Sequence, residues 1–120
     1  MAEGDAVAES GVRVRLDGRA SGGDVTALRA WLEREKPLAE RMDAETLRVE
    51  ERPRTDGPQG HMGFGTEIVL VMVESATTAA VAELLGHVER AVKAWLANRR
   101  RVESGEAPRA RIEPLDSGER

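Results

Sequence analysis

Few side chains in this sequence could carry out bond chemistry. There are two histidines, His61 and His87, and no cysteine. The missing thiol excludes a disulfide framework, a thiolate metal site and a cysteine nucleophile. The two imidazoles show no ligand spacing, and no Ser-His-Asp set can be built on either. His61 falls in a Pro/Gly-rich stretch. His87 falls beside an apolar helical stripe, where a hydrogen bond to a neighbour accounts for it. Gly18-Arg19 stands where a small phosphatase would place an arginine for an anion, but without a glycine-rich signature beside it. Gly60, Gly63 and Gly65 precede a strand, whereas a phosphate loop opens onto a helix N-terminus, so they read as a hairpin connection. Arg99, Arg100 and Arg101 end a long helix, where cations complement the helix dipole. No catalytic residue, cofactor site or metal site is expected. An enzyme using Arg19 on a phosphorylated substrate is the weakest of the readings.

The elements that would position a site are organised around Ile68-Val69-Leu70-Val71-Met72-Val73, an unbroken apolar run rich in β-branched residues and therefore a strand. Val12-Arg13-Val14-Arg15-Leu16, Leu47-Arg48-Val49-Glu50 and Ala110-Arg111-Ile112-Glu113 alternate strictly and give three half-buried strands. Val25, Leu28 and Leu32, with Trp31 beside them, predict a first helix to about Lys36, where Pro37 stops it. Leu38 to Asp43 reads as a further short helical turn begun by that proline. Val81, Leu84, Leu85, Val88, Val92, Trp95 and Leu96 form one continuous stripe on a long second helix, which Ser75 or Thr77 can cap. The order β-α-β-β-α-β is that of a ferredoxin-like α+β sandwich: a four-stranded antiparallel sheet, strands one and three central, with two helices on one face. The expected plan is a disordered acidic tail over 1–10, one domain over 11–116 and a disordered tail over 117–120.

The face away from the helices is where function is expected. The alternating strands turn Val12, Val14, Leu16, Leu47, Val49, Ala110 and Ile112 inward, and Arg13, Arg15, Arg48, Glu50, Arg111 and Glu113 outward. The third strand breaks the pattern, because either parity leaves three apolar residues outward. The sequence leaves the parity open; taken as Val69, Val71 and Val73, these residues form an aliphatic stripe rimmed by charge, the usual build of a protein-binding surface. The competing reading is a tail or the 52–65 connection folded over the stripe. RNA-binding sheets of this topology stack bases on central-strand aromatics, and here those strands have none. A net charge of −4 gives no global attraction to nucleic acid or anionic membranes. With no 18-residue apolar stretch and a first ten residues that are small and acidic, the expected location is the cytoplasm.

Three stretches carry a family resemblance. They are Leu28-Arg29-Ala30-Trp31-Leu32-Glu33, the Gly60-His61-Met62-Gly63 approach to the aliphatic strand, and Ala94-Trp95-Leu96-Ala97-Asn98-Arg99-Arg100 before the last strand. In order and spacing they resemble the effector-associated constant component family, small α+β proteins found mainly in actinobacteria, over residues 11–115. The chain departs from that pattern in extra residues around Met42-Asp43-Ala44-Glu45 and in a lengthened turn from Arg101 to Ala107. The resemblance implies a non-catalytic adaptor of bacterial conflict, or immunity, systems. It would couple sensing to an effector such as a trypsin-like or caspase-like protease, often beside a regulatory nucleotide triphosphatase. It implies no catalytic residues to carry over. Homo-oligomerisation through the sheet is a further expectation, and a small-ligand-sensing regulatory domain is the alternative function.

Overall fold

The computed structural model describes residues 10–17, 22–54, 65–73, 77–102 and 109–115. The elements run β1 (Ser10–Asp17), α1 (Gly22–Arg34), α2 (Lys36–Asp43), β2 (Leu47–Pro53), β3 (Thr66–Met72), α3 (Thr78–Val102) and β4 (Arg109–Pro114). The strands form one antiparallel sheet in the order β2-β3-β1-β4, which puts the aliphatic strand and β1 at its centre. Ser10, expected in the tail, opens β1. The remaining tail residues, the Gly18-Arg19 and Gly60 to Gly63 motifs, and His61 lie outside the described residues.

Three helices, where two were expected, accompany the sheet. Pro37 causes the difference. Glu35 takes an extended conformation (φ −68°, ψ 126°), and α2 restarts with the proline in its first turn, where its missing N–H costs nothing. Leu38 then drops fully into the core, which turns an expected short turn into an eight-residue helix. Glu45 leaves α2 in the left-handed region (φ 65°), and the N–H groups of Ala44, Glu45 and Thr46 return to the carbonyls of Glu40, Met42 and Arg41.

The core lies between the helices and one sheet face. Val12, Val14 and Leu16 of β1, Leu47 and Val49 of β2, and Ile68 and Leu70 of β3 meet Val25, Leu28 and Leu32 of α1, Leu38 of α2, and Leu84, Val88, Ala91, Val92 and Trp95 of α3. Val81, Leu85 and Leu96, expected on the same stripe, flank it half-buried. Thr77 caps α3, its hydroxyl accepting from the Ala80 N–H at 3.0 Å. Trp31 Nε1 donates to the Ala91 carbonyl at 3.0 Å and ties α1 to α3. At the far end of α3, Arg99 stacks over the Trp95 ring, 5.2 Å from its centroid, and pairs with Asp24 of α1.

Gly11 sets how closely the central strands approach. A Cβ there would stand 1.9 Å from the Leu70 carbonyl oxygen, so no other residue fits without moving the backbone.

Candidate interaction face

The register resolves the parity that the sequence left open. Ile68 and Leu70 belong to the helix-side core and Met72 packs against it, so Val69, Val71 and Val73 take the opposite side. On that side residues directly opposite across the ladders are neighbours. Val69 lies between Arg13 of β1 and Glu50 of β2, and Val71 between Gly11 and Arg48. Arg13 is also opposite Glu113 of β4, and Arg15 is opposite Arg111. All nine candidate residues therefore share one face.

The face is not the exposed aliphatic stripe that the alternation suggested. Val69 and Val71 are 1% and 4% exposed, and Val73, at 48%, is the exposed large hydrophobic residue among the described residues. Their neighbours are long side chains tied to one another along the sheet, and stems held in this way contribute cover to the valines. Arg15 Nε meets Glu67 Oε1 at 2.6 Å, and Arg13 Nε approaches Glu67 Oε2 at 3.7 Å. Arg13 Nη1 lies 3.6 Å from Glu113 Oε1. On β2, Glu50 is clamped between Arg48 Nε at 3.1 Å and Arg52 Nε at 2.9 Å. Toward β4, Asp17 accepts from Arg111 Nε at 2.8 Å and from Arg54 Nη2 at 3.1 Å. Arg54 also donates to the Leu16 carbonyl at 2.8 Å, linking the end of β2 to the end of β1 past Gly65, where β3 has no side chain.

This network favours the charged form of two carboxylates, Asp17 and Glu50. The hydrogen bond from Arg111 is the largest influence on Asp17 and holds its carboxyl below the ordinary range despite partial burial, with Arg54 adding to the effect. Glu50 is held down in the same sense, first by the hydrogen bond from Arg52 and then by the charges of Arg52 and Arg48. Off the face, Arg29 on α1 is raised, mainly by its bond to Glu33, with Glu51 of β2 assisting.

The candidates thus divide by accessibility. Arg15, Val69 and Val71 are buried, Arg13 and Glu50 are half-buried, and Arg48, Arg111, Glu113 and Val73 present themselves to solvent through side chains or rim position. Glu67, Asp17, Arg52 and Arg54 join the face without having been singled out. Continuing the alternation would have found them. Glu67 has the parity of Val69 just before the apolar run, and Arg52 and Arg54 extend the Arg48, Glu50 series past Pro53.

The arrangement can present a patterned array of charges, with cations and carboxylates already paired. Among the described residues no group of three or more His, Cys, Asp or Glu is placed to hold a metal. His87 is occupied on its own helix, with Nδ1 2.9 Å from Arg90 Nη2 and Nε2 3.8 Å from Glu83 Oε2. No described helix is long and apolar enough to cross a membrane.

No curated protein and no solved structure matches the chain. A family model does match, over residues 17–113, which takes in most of β1's partners, all three helices and β4 up to Glu113. By that match the chain belongs to the Effector Associated Constant Component 1 family.

Proposed function

We propose that this protein is a non-catalytic recognition component of a bacterial conflict system, which binds an effector or its regulatory triphosphatase through the charged sheet face. The observation that carries the reading is the ordered array of Arg13, Arg48, Glu50, Arg111 and Glu113 over a buried valine floor. Charges fixed in register on a rigid sheet select a partner by complementary potential and speed its encounter, while adding less affinity than an apolar centre would. The family's name supports association with effectors. The strand order, with β1 and β3 central, supports a ferredoxin-like arrangement of the scaffold.

The test is binding to a trypsin-like or caspase-like protease, or to a triphosphatase, taken from the neighbouring genes where they encode one. Arg48, exposed at the β2 rim, is the residue to reverse. Arg48→Glu is expected to weaken binding about tenfold or more, mainly by slowing association, and binding of the unaltered protein should fall steeply with salt. Salt-independent binding that ignores Arg48→Glu would sink the charged-face reading. Turnover of a substrate by the purified protein alone would sink the non-catalytic one.

A further inference from the structure

The two edges of the sheet are not equivalent. In an antiparallel ladder, pairs that exchange hydrogen bonds alternate with pairs that do not. Leu115 N–H donates to the Gly11 carbonyl at 2.8 Å, and the register then makes Glu113–Arg13, Arg111–Arg15 and Arg109–Asp17 the bonded pairs. Ala110, Ile112 and Pro114 therefore turn their main-chain groups to the open side of β4, where no further strand lies among the described residues. Pro114 has no N–H to leave unsatisfied there, the usual placement of proline on an edge.

We propose that this edge pairs antiparallel with the β4 of a second copy of the chain, about a two-fold axis at Ile112. The sequence Arg-Ala-Arg-Ile-Glu-Pro complements itself in that register. Ile112 opposes its own counterpart and exchanges both main-chain bonds with it. Each Ala110 N–H meets the Pro114 carbonyl of the second copy. Arg111 of each copy opposes Glu113 of the other, and both side chains are accessible, at 46% and 42% exposed. On the helix side, Ile112 meets Ile112 and Ala110 meets Pro114, so half-buried Ile112 and Ala110 and the exposed Pro114 ring cover one another. Such an isologous contact repeats every favourable pair. An apolar trough of about 340 Å³, walled by Pro114, Val81 and Leu85, lies beside the same edge and continues its apolar strip.

The β2 edge offers no comparable match. Val73 N–H bonds to the Thr46 carbonyl and Arg54 N–H to the Gly65 carbonyl, so Leu47, Val49 and Glu51 turn outward on that edge. Pairing about Val49 would set Glu51 against Leu47 on the apolar side, and pairing about Glu51 would set that carboxylate against itself. Leu47 and Val49 are already 3% and 8% exposed and have little left to bury.

This inference is tested separately from the effector-binding reading, because it needs no second protein and leaves Arg48 on the opposite edge untouched, although it engages Arg111 and Glu113 of the same face. The chain has no cysteine, so introduced thiols report cleanly. Arg111→Cys and Glu113→Cys are prepared separately and then mixed under mild oxidation. Positions 111 and 113 of two copies would form a non-hydrogen-bonded pair, with Cα atoms about 4.5 Å apart, within disulfide reach. The mixture is expected to cross-link at least tenfold faster than either variant alone, since neither variant places two thiols opposite each other. Sedimentation of the unaltered chain should show a dimer, and Ile112→Pro, which leaves the ladder to β1 intact, should make it a monomer that still melts cooperatively, at a lower temperature because Ile112 also packs on the core. A monomer throughout the micromolar range, equal cross-linking of mixed and unmixed variants, or a folded Ile112→Pro variant that still dimerises overturns the proposal.

Discussion

Arg15 and Glu67 lie on the two central strands with Nε and Oε1 2.6 Å apart, and their side chains are only 9% and 8% exposed, on the sheet face opposite the helices. A buried ion pair of this kind adds little net stability, because desolvation offsets most of the attraction. Removing one partner is different, since it strands the other charge. Glu67→Ala is expected to cost about 3 kcal/mol, read as a lower urea midpoint at unchanged slope. The double change Arg15→Met, Glu67→Met should recover most of that loss. A double variant as unstable as the single one would show that the pair itself supplies the stability.

Val69 and Val71 behave as a second, thinner core under the charged side chains. Val69→Asp is expected to destabilise by about 3 kcal/mol or more, because it buries a carboxylate beside Glu50 and its nearest cation, Arg13, already faces Glu67 and Glu113. Val73→Asp, at an exposed position just beyond β3, should stay within about 0.5 kcal/mol of the unaltered protein. Thermal melts of the two variants separate these outcomes. Equal, mild effects at 69 and 73 would mean that the valine floor is open to water.

The sequence showed which residues share the outward face, but not what that face looks like. Alternation assigned Arg13, Arg15, Arg48, Glu50, Arg111 and Glu113 to one side, because the strand period is fixed by backbone geometry. It could not show that Val69 and Val71 are covered. Burial there depends on the cross-strand register, which brings Arg13, Glu50 and Arg48 beside the valines, and on carboxylates such as Glu67 that hold the arginines along the sheet. α2 was underestimated for a related reason. Its local pattern is weak, and the burial of Leu38, a tertiary contact, completes it. Gly11 went unremarked because a lone glycine before an alternating run reads as a boundary, and only the neighbouring strand shows why it is needed.

Gly11→Ala is expected to cost about 2 kcal/mol or more, since a methyl group 1.9 Å from the Leu70 carbonyl forces β1 and β3 apart. The damage should be local before it is global. Hydrogen exchange would show early loss of protection at the β1–β3 ladder while α3 retains its own. Uniform loss of protection, or none, would argue against a close approach at this point.

Acid should weaken the fold through Asp17 and Glu50. Both carboxyls titrate below their ordinary values of 3.8 and 4.5 in the folded protein, because Arg111 and Arg54 bond the first and Arg52 and Arg48 the second. As the pH falls, the unfolded chain therefore takes up these protons before the folded one does. The contribution is fully present above the ordinary carboxylate range and is lost as the pH drops through about 4.5 and below. Urea midpoints measured from pH 7 to pH 3 should decline along that limb. Asp17→Asn with Glu50→Gln should start lower at pH 7 and decline less steeply, because the proton-linked part is already gone. A double variant that keeps the full acid slope would place the sensitivity in other carboxylates and deny these two their role in fixing the array.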